Sequence, residues 1–180
     1  EGSSIAVTSF AGSSSHTANY ASTAITGTAA QQQAVKDAAI AAVNGINPSG
    51  STYLSGGLTE AIGQLDATGR NNVIIAFTDG ENDSDDYYSA ISTAKTAKAI
   101  AKLFTIGMGE ANNGYLKLIC SPTTVNDPID YNRPCENLDT LAEELLQILD
   151  DTTIVGGFTG VTVTDTIDPR FVVVDKNGNP

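Results

Sequence analysis

Three features of the 180-residue chain predict a doubly wound α/β fold with a mostly parallel sheet. Two short runs, Val73-Ile74-Ile75-Ala76-Phe77 and Leu103-Phe104-Thr105-Ile106, are apolar without polar alternation. Such runs suit strands buried on both faces of a parallel sheet. Segments of helical period lie before, between and after them, and alternation of buried strands with amphipathic helices is the signature of a doubly wound sheet.

The elements follow in chain order. Ile5-Ala6-Val7-Thr8-Ser9-Phe10 reads as a strand covered on both faces. Thr28-Ala29-Ala30-Gln31 fits a capping box, in which the Thr hydroxyl and the Gln side chain each satisfy an orphan amide. The helix it opens should reach about Asn44, with Val35, Ala39 and Val43 on one face and Gly45 as its stop. A second helix carries Leu58, Ile62 and Leu65, and a third should span Tyr87 to Lys102, with Asp85 and Asp86 near its positive end. The last, Leu138 to Leu149, presents Leu138, Leu141, Leu145 and Leu149. The alanine content of these helices points to close packing and not to a cofactor pocket.

The strand at Val73 ends in Thr78-Asp79-Gly80, and a Gly/Ser-rich loop, Gly50-Ser51-Thr52-Tyr53-Leu54-Ser55-Gly56-Gly57-Leu58, opens the second helix. Open α/β sheets bind ligands beyond the carboxyl ends of their strands, which is where Asp79 falls. A carboxylate and a hydroxyl are hard oxygen donors suited to a divalent cation such as Mg²⁺. These two segments, in this order, resemble the von Willebrand factor A (VWA) domain and its metal-ion-dependent adhesion site over roughly residues 1–150. The resemblance implies that Thr52 and Asp79 are metal ligands, that the ion is Mg²⁺, or Mn²⁺ or Ca²⁺, and that a ligand carboxylate is captured through it.

That family has a further segment, Asp-x-Ser-x-Ser after its first, central strand. It occurs nowhere here: Ser13-Ser14-Ser15 follows Phe10-Ala11-Gly12 without an Asp. Ile5 to Phe10 corresponds to the family's second strand, so the fold is expected to lack its first central strand and the metal site to be incomplete within these residues. Unpaired inner edges are costly. Either the residues belong to a longer protein or another chain supplies the strand, and the first alternative is the expectation.

Composition narrows the function. Nine basic residues against 21 acidic ones give a net charge of −12, which argues against nucleic acid and anionic membrane as partners. No apolar run approaches the roughly 18 residues of a membrane span. The two cysteines, Cys120 and Cys135, leave two arrangements open: a disulfide, or two free thiols with Cys120 buried on a short apolar helix. The disulfide is expected, because the intervening segment has little else to order it. It would close a loop of about 15 residues, favour an oxidising compartment and contribute roughly 3 kcal/mol. A single histidine, His16, makes a zinc site unattractive, and its Ser-rich surroundings suggest a surface loop.

After Asp151 the pattern changes, so the chain divides into a VWA-like unit, 1–151, and the opening of a β-rich module, 152–180. Val161, Val163, Asp165 and Ile167 share one face of a strand, Phe171-Val172-Val173-Val174 form another, and Asn177-Gly178 is a hairpin signal. This stretch resembles the start of the immunoglobulin-like domains that follow VWA domains in Gram-positive surface adhesins and pilus-tip proteins. By that resemblance Asp165 could assist an isopeptide bond, although its Lys and Asn partners are not identifiable.

Other motifs are poorer. Glu81, Asp83, Asp85 and Asp86 lack the Gly and distal Glu of an EF-hand and read as a solvated acidic loop capping a helix. Ser55 is not in a nucleophile elbow, and Gly107-Met108-Gly109 lacks the third Gly of a dinucleotide fingerprint. A phosphatase-like enzyme with Asp79 as nucleophile needs a second Asp where Glu81 stands. The expected function is a non-enzymatic adhesion module, extracellular and on the cell surface, binding a protein or host-cell ligand. A structural subunit of a surface fibre or pilus, contacting other subunits with an incidental metal site, is the alternative.

Overall fold

The computed structural model describes residues 3–13, 15–47, 50–66 and 71–154. The elements are β1 (Ser4–Phe10), β2 (His16–Ala24), α1 (Ala29–Asn44), α2 (Leu54–Gly63), β3 (Val73–Thr78), α3 (Tyr87–Lys98), β4 (Lys102–Met108), α4 (Asn113–Ile119), β5 (Asn132–Cys135) and α5 (Leu138–Ile154). The two apolar runs are the heart of a parallel sheet ordered β3-β4-β5, with Val73 opposite Lys102 and Thr105 opposite Asn132. β1 and β2 form a separate antiparallel pair, Ser4 opposite Ala24 and Phe10 opposite His16, irregular around Val7. Among the described residues no ladder joins the two sheets, so β1 and β3 each keep one edge without a strand partner.

Helix α2 ties the two parts together. Its Leu54 and Leu58 enter one core with Ile74 and Ala76 of β3, the alanines of α3, and Tyr115, Leu116 and Ile119 of α4. On its other side α2 lies so close to β1 that a Cβ on Gly57 would come within 2.5 Å of the Phe10 ring. A glycine inside a helix costs roughly 0.5–1 kcal/mol relative to alanine, and this contact is what that cost permits. Ala90, Ala94 and Ala97, spaced along one face of α3, have no exposed surface, as the alanine-rich composition suggested. A second core, Phe104, Ile106, Tyr131 and Ile148 with both cysteines, lies under α5. Successive residues of β4 thus feed different cores, Leu103 the first and Phe104 the second, as a strand covered on both faces must.

The capping box of α1 is present, with the Thr28 amide donating to Gln31 at 2.8 Å and the Gln31 amide donating to Thr28 Oγ1 at 3.3 Å. Helix α3 ends at Lys98 and not at Lys102, because the Lys102 amide donates to the Asn72 carbonyl at 2.9 Å and begins β4. Helix α5 continues past Asp151 to Ile154; Arg133 of β5 pairs with Glu144 at 3.2 Å and Asp151 at 2.5 Å, fastening its later turns. Two expectations of burial fail. No residue of β1 is fully buried, and Ile75 and Phe77 of β3 remain 39% and 41% exposed, because no described element covers that face of β3. Val43 of α1 and Leu145 and Leu149 of α5 are exposed as well, and Ile148 carries the inward face of α5 instead.

The expected disulfide is also absent: Cys120 and Cys135 are both buried free thiols. The reason is their height in the sheet. Cys135 is opposite Met108 at the end of β4, whereas the amide following Cys120 bonds to the carbonyl of Leu103 near its start. Several residues of strand at about 3.3 Å each separate them, beyond the roughly 7 Å Cα limit for a bridge. Burial pushes both thiols above their ordinary pKa. From residue 155 onward the expected β module, including Asp165 and the Asn177-Gly178 turn, lies outside the described residues, while Thr152 to Ile154 belong to α5.

Two outcomes are expected. Native protein should alkylate slowly at both cysteines at neutral pH and fully once denatured, and non-reducing peptide mapping should recover both unpaired; a crosslinked 120–135 peptide would contradict the arrangement. Second, a polypeptide of these 180 residues alone should self-associate through the open edges of β1 and β3. Sedimentation velocity that finds a monomer at high concentration, with a sharp two-state thermal transition, would show that those edges are closed in solution.

Candidate metal centre

Asp79 follows the last residue of β3, at the carboxyl end of the parallel sheet. The residues around it form the turn. Thr78 is buried, and its Oγ1 donates to the Gly80 carbonyl at 3.2 Å and accepts from the Gly80 amide at 3.4 Å. The Asp79 carbonyl accepts from the Glu110 amide at 3.3 Å, beyond the end of β4. The backbone of Asp79 is therefore held from both sides while its side chain is exposed to solvent.

Thr52 lies in the loop before α2. The Tyr53 amide donates to the Ala11 carbonyl at 2.8 Å, which docks this loop on the end of β1. A Cβ on Gly80 would lie 3.3 Å from Thr52 Oγ1, so the Thr52 hydroxyl rests directly against the backbone that follows Asp79. The structure thus brings together the two predicted ligands from segments 27 positions apart in sequence, 52 and 79.

The acidic loop after Asp79 is not solvated as expected. The Thr52 amide donates to Asp83 Oδ2 at 3.1 Å, the Leu54 amide to Asn82 Oδ1 at 3.0 Å and the Ser55 amide to Asp86 Oδ2 at 3.0 Å. The hydroxyls of Ser55 and Tyr53 donate to Asp86 and Asp85 in turn. In the reverse direction the Asp83 amide donates to the Thr52 carbonyl at 2.9 Å. Asp86 is 2% exposed. It occupies the cap position of α3 but caps α2: its backbone is already helical, φ −91° and ψ −10°, unlike the extended backbone of a residue that caps its own helix. Asn82 also donates to the Tyr115 hydroxyl at 3.2 Å, and burial, followed by the charge of Asp86, holds that phenol well above its ordinary pKa.

Sequence reasoning missed Asn82, Asp83 and Asp86 as partners of the Thr52 loop. A signal existed: Tyr53, the cap residue of α2, makes no side-chain cap, so the first amides of α2 need acceptors from elsewhere. His16 is likewise not in a loop; it begins β2, packs on Gly56 and approaches Glu60 Oε2 to 3.4 Å.

Chemically, the site offers one carboxylate and one hydroxyl. These are the right kind of donor for a hard divalent ion, and they fit in kind but not in number. Among the described residues no group of three or more His, Cys, Asp or Glu side chains could hold a metal.

A comparison with protein families matches the von Willebrand factor type A domain over residues 2–144. The chain belongs to that family. Solved structures agree on the fold. A von Willebrand factor type A protein from Catenulispora acidiphila superposes with a TM-score of 0.62 at 17% identity, covering 84% of this chain and 34% of that one. The proximal thread matrix protein 1 of the mussel byssus, described with a zinc-occupied MIDAS motif, gives a TM-score of 0.54 at 19% identity with the same coverage, 84% and 34%. The chain therefore spans about a third of the length of these structures. The comparison with curated proteins returned no match.

The latch has a spectroscopic signature. The hydrogen bond to Asp85 pushes the Tyr53 phenol up to about 12 from its ordinary 10.0. Asp85→Ala should move one tyrosine toward the ordinary value in an ultraviolet titration, short of a full return because burial and the charges of Asp83 and Asp86 remain; an unchanged titration curve would mean that the bond is not formed in solution.

Proposed function

We propose that this VWA domain is an adhesion module that captures a carboxylate of a protein ligand through a divalent cation held by Thr52 and Asp79. One observation carries the reading: the Thr52 hydroxyl rests against Gly80, the residue after Asp79, at the carboxyl end of the sheet, while the neighbouring Asp83, Asp85 and Asp86 are already engaged as hydrogen-bond acceptors; a mussel protein of similar fold is described with a zinc-occupied MIDAS motif. When bound, the cation supplies a positive charge that a ligand carboxylate can complete. This chain's part is to present one anionic and one neutral oxygen and to keep the loop that bears Thr52 fixed. The ion is proposed to be Mg²⁺, with Mn²⁺ or Ca²⁺ as substitutes.

The remaining donors are proposed to come from outside these 180 residues, on a strand that would pair with the free edges of β1 and β3. The module is read as non-enzymatic, since Glu81 stands where a phosphatase of this architecture would need an aspartate. Placement at the cell surface rests on the acidic composition and on the resemblance of 152–180 to modules of surface adhesins. The cysteines no longer support it. No helix among the described residues is long and apolar enough to cross a membrane. A structural role within a surface fibre, with an incidental metal, is the second reading, and the description of the mussel protein as a thread matrix protein favours keeping it.

Calorimetry separates them. The 180-residue segment should bind Mg²⁺ weakly or not at all, a protein carrying the complete domain should bind it, and Asp79→Ala should abolish that binding. Equal affinity in wild type and Asp79→Ala would remove Asp79 from the site. Adhesion to protein-coated surfaces that persists in chelator would favour the structural reading.

A further inference from the structure

We propose that Asp86 is a positioning residue for the site, an N-terminal cap of α2 supplied by the loop before α3, and that it sets where Thr52 stands relative to Asp79. The argument starts from the four amides that any helix leaves unsatisfied at its N-terminus. In α2 the cap residue Tyr53 contributes no side-chain bond. The Leu54 and Ser55 amides instead donate to Asn82 and Asp86, both at 3.0 Å, and the Thr52 amide just before them donates to Asp83 at 3.1 Å. All three acceptors come from residues 82–86, on the same turn that begins with Asp79. Two loops distant in sequence are therefore joined by one neutral bond, to Asn82, and two charge-assisted ones, to Asp83 and Asp86, which are stronger than neutral bonds.

Among these acceptors Asp86 is distinguished by burial. At 2% exposure it accepts from both the amide and the hydroxyl of Ser55, and the helix of α3 begins immediately after it. Asp83 and Asp85 sit farther out and are half-buried and exposed. A buried carboxylate whose removal would leave helix-end donors unpaired is costly to lose. Its position also means that any shift of α3 moves the cap and, with it, the start of α2 and Thr52. Asp79 would not follow, because its carbonyl is held by the Glu110 amide and the next residue, Gly80, by the Thr78 hydroxyl. The consequence for a cation rests on the adhesion-site reading; the cap itself does not. Groups that orient metal ligands typically influence affinity by about 10- to 100-fold when removed.

The test uses a protein carrying the complete domain, in two arms. In the absence of metal, amide hydrogen exchange at Ser55, which donates to Asp86, should accelerate about 10-fold or more in Asp86→Ala, while Phe104 and Ile106 of β4 stay protected; Asp86→Asn, which keeps an acceptor oxygen, should restore protection, and Asp85→Ala should leave this amide unchanged. If Asp86→Ala does not fold, Ser55→Ala, which removes the hydroxyl donor and keeps the amide, should lower Tm while the amide of residue 55 stays protected. In the second arm, Mn²⁺ affinity measured by electron paramagnetic resonance should fall by about 10-fold in Asp86→Ala and recover in Asp86→Asn. Unchanged exchange at residue 55 in Asp86→Ala, or an amide of residue 55 that is unprotected in both the wild type and Ser55→Ala, overturns the cap. Faster exchange with unaltered Mn²⁺ affinity overturns its role in positioning the site. Absence of Mn²⁺ binding by the wild type overturns the metal reading alone, since the exchange arm has by then decided the cap.

Discussion

The N-terminus of α2 is the point on which the upper part of the molecule depends. This helix touches both sheets: Leu54 and Leu58 complete the core beside β3, and Gly57 allows its backbone to lie on Phe10 of β1. It cannot cap itself, so its orphan amides are answered from the loop between β3 and α3. The same set of bonds thus determines the start of the helix, the path of the Thr52 loop and the arrangement of the two parts of the fold. Burial of Leu54 and Leu58 supplies the affinity between the elements, on the order of 2 kcal/mol per fully buried side chain. The hydrogen bonds supply the direction.

The open edges account for the unusual distribution of apolar surface. Ile75 and Phe77 on β3, Ile40 and Val43 on α1, and Leu145, Leu146 and Leu149 on α5 are all large, apolar and exposed. Scattered exposed leucines need no explanation. Here, however, the strand edges are unpaired in the same molecule, and apolar residues of this number on sheet and helices alike mark surface that expects covering.

Much of this was legible in the amino-acid order. β3 and β4 were visible because strands covered on both faces carry unbroken apolar runs, and α2 and α3 because helical spacing is hard to mistake over three turns. The Thr52 loop and the Thr78-Asp79-Gly80 turn were expected to meet at the end of the sheet, and the Thr52 hydroxyl does rest against Gly80. β2 was not visible: His16 to Ala24 consists of small and polar residues without alternation, and only its pairing with β1 makes it a strand. β5 has four residues, one of them Pro134, and owes its strand form to β4. The disulfide failed because separation along the chain says nothing about height in the sheet. Asp86 was read as a cap, correctly, but for the helix that follows it and not for the one it serves.

Helix α3 carries a further consequence. Its three alanines at 90, 94 and 97 have no accessible surface, so the helix is pressed against its neighbours along a line where only a methyl group fits. Larger side chains there would force the overpacking that typically costs 1–3 kcal/mol. In a library of variants these positions should form a comb of intolerance, spaced by four and three residues and closed to almost every substitution. The exposed positions between them, Ser92 and Lys95 among others, should accept nearly anything. The fold would then be readable from mutational tolerance alone, with α3 as its most sharply ruled line.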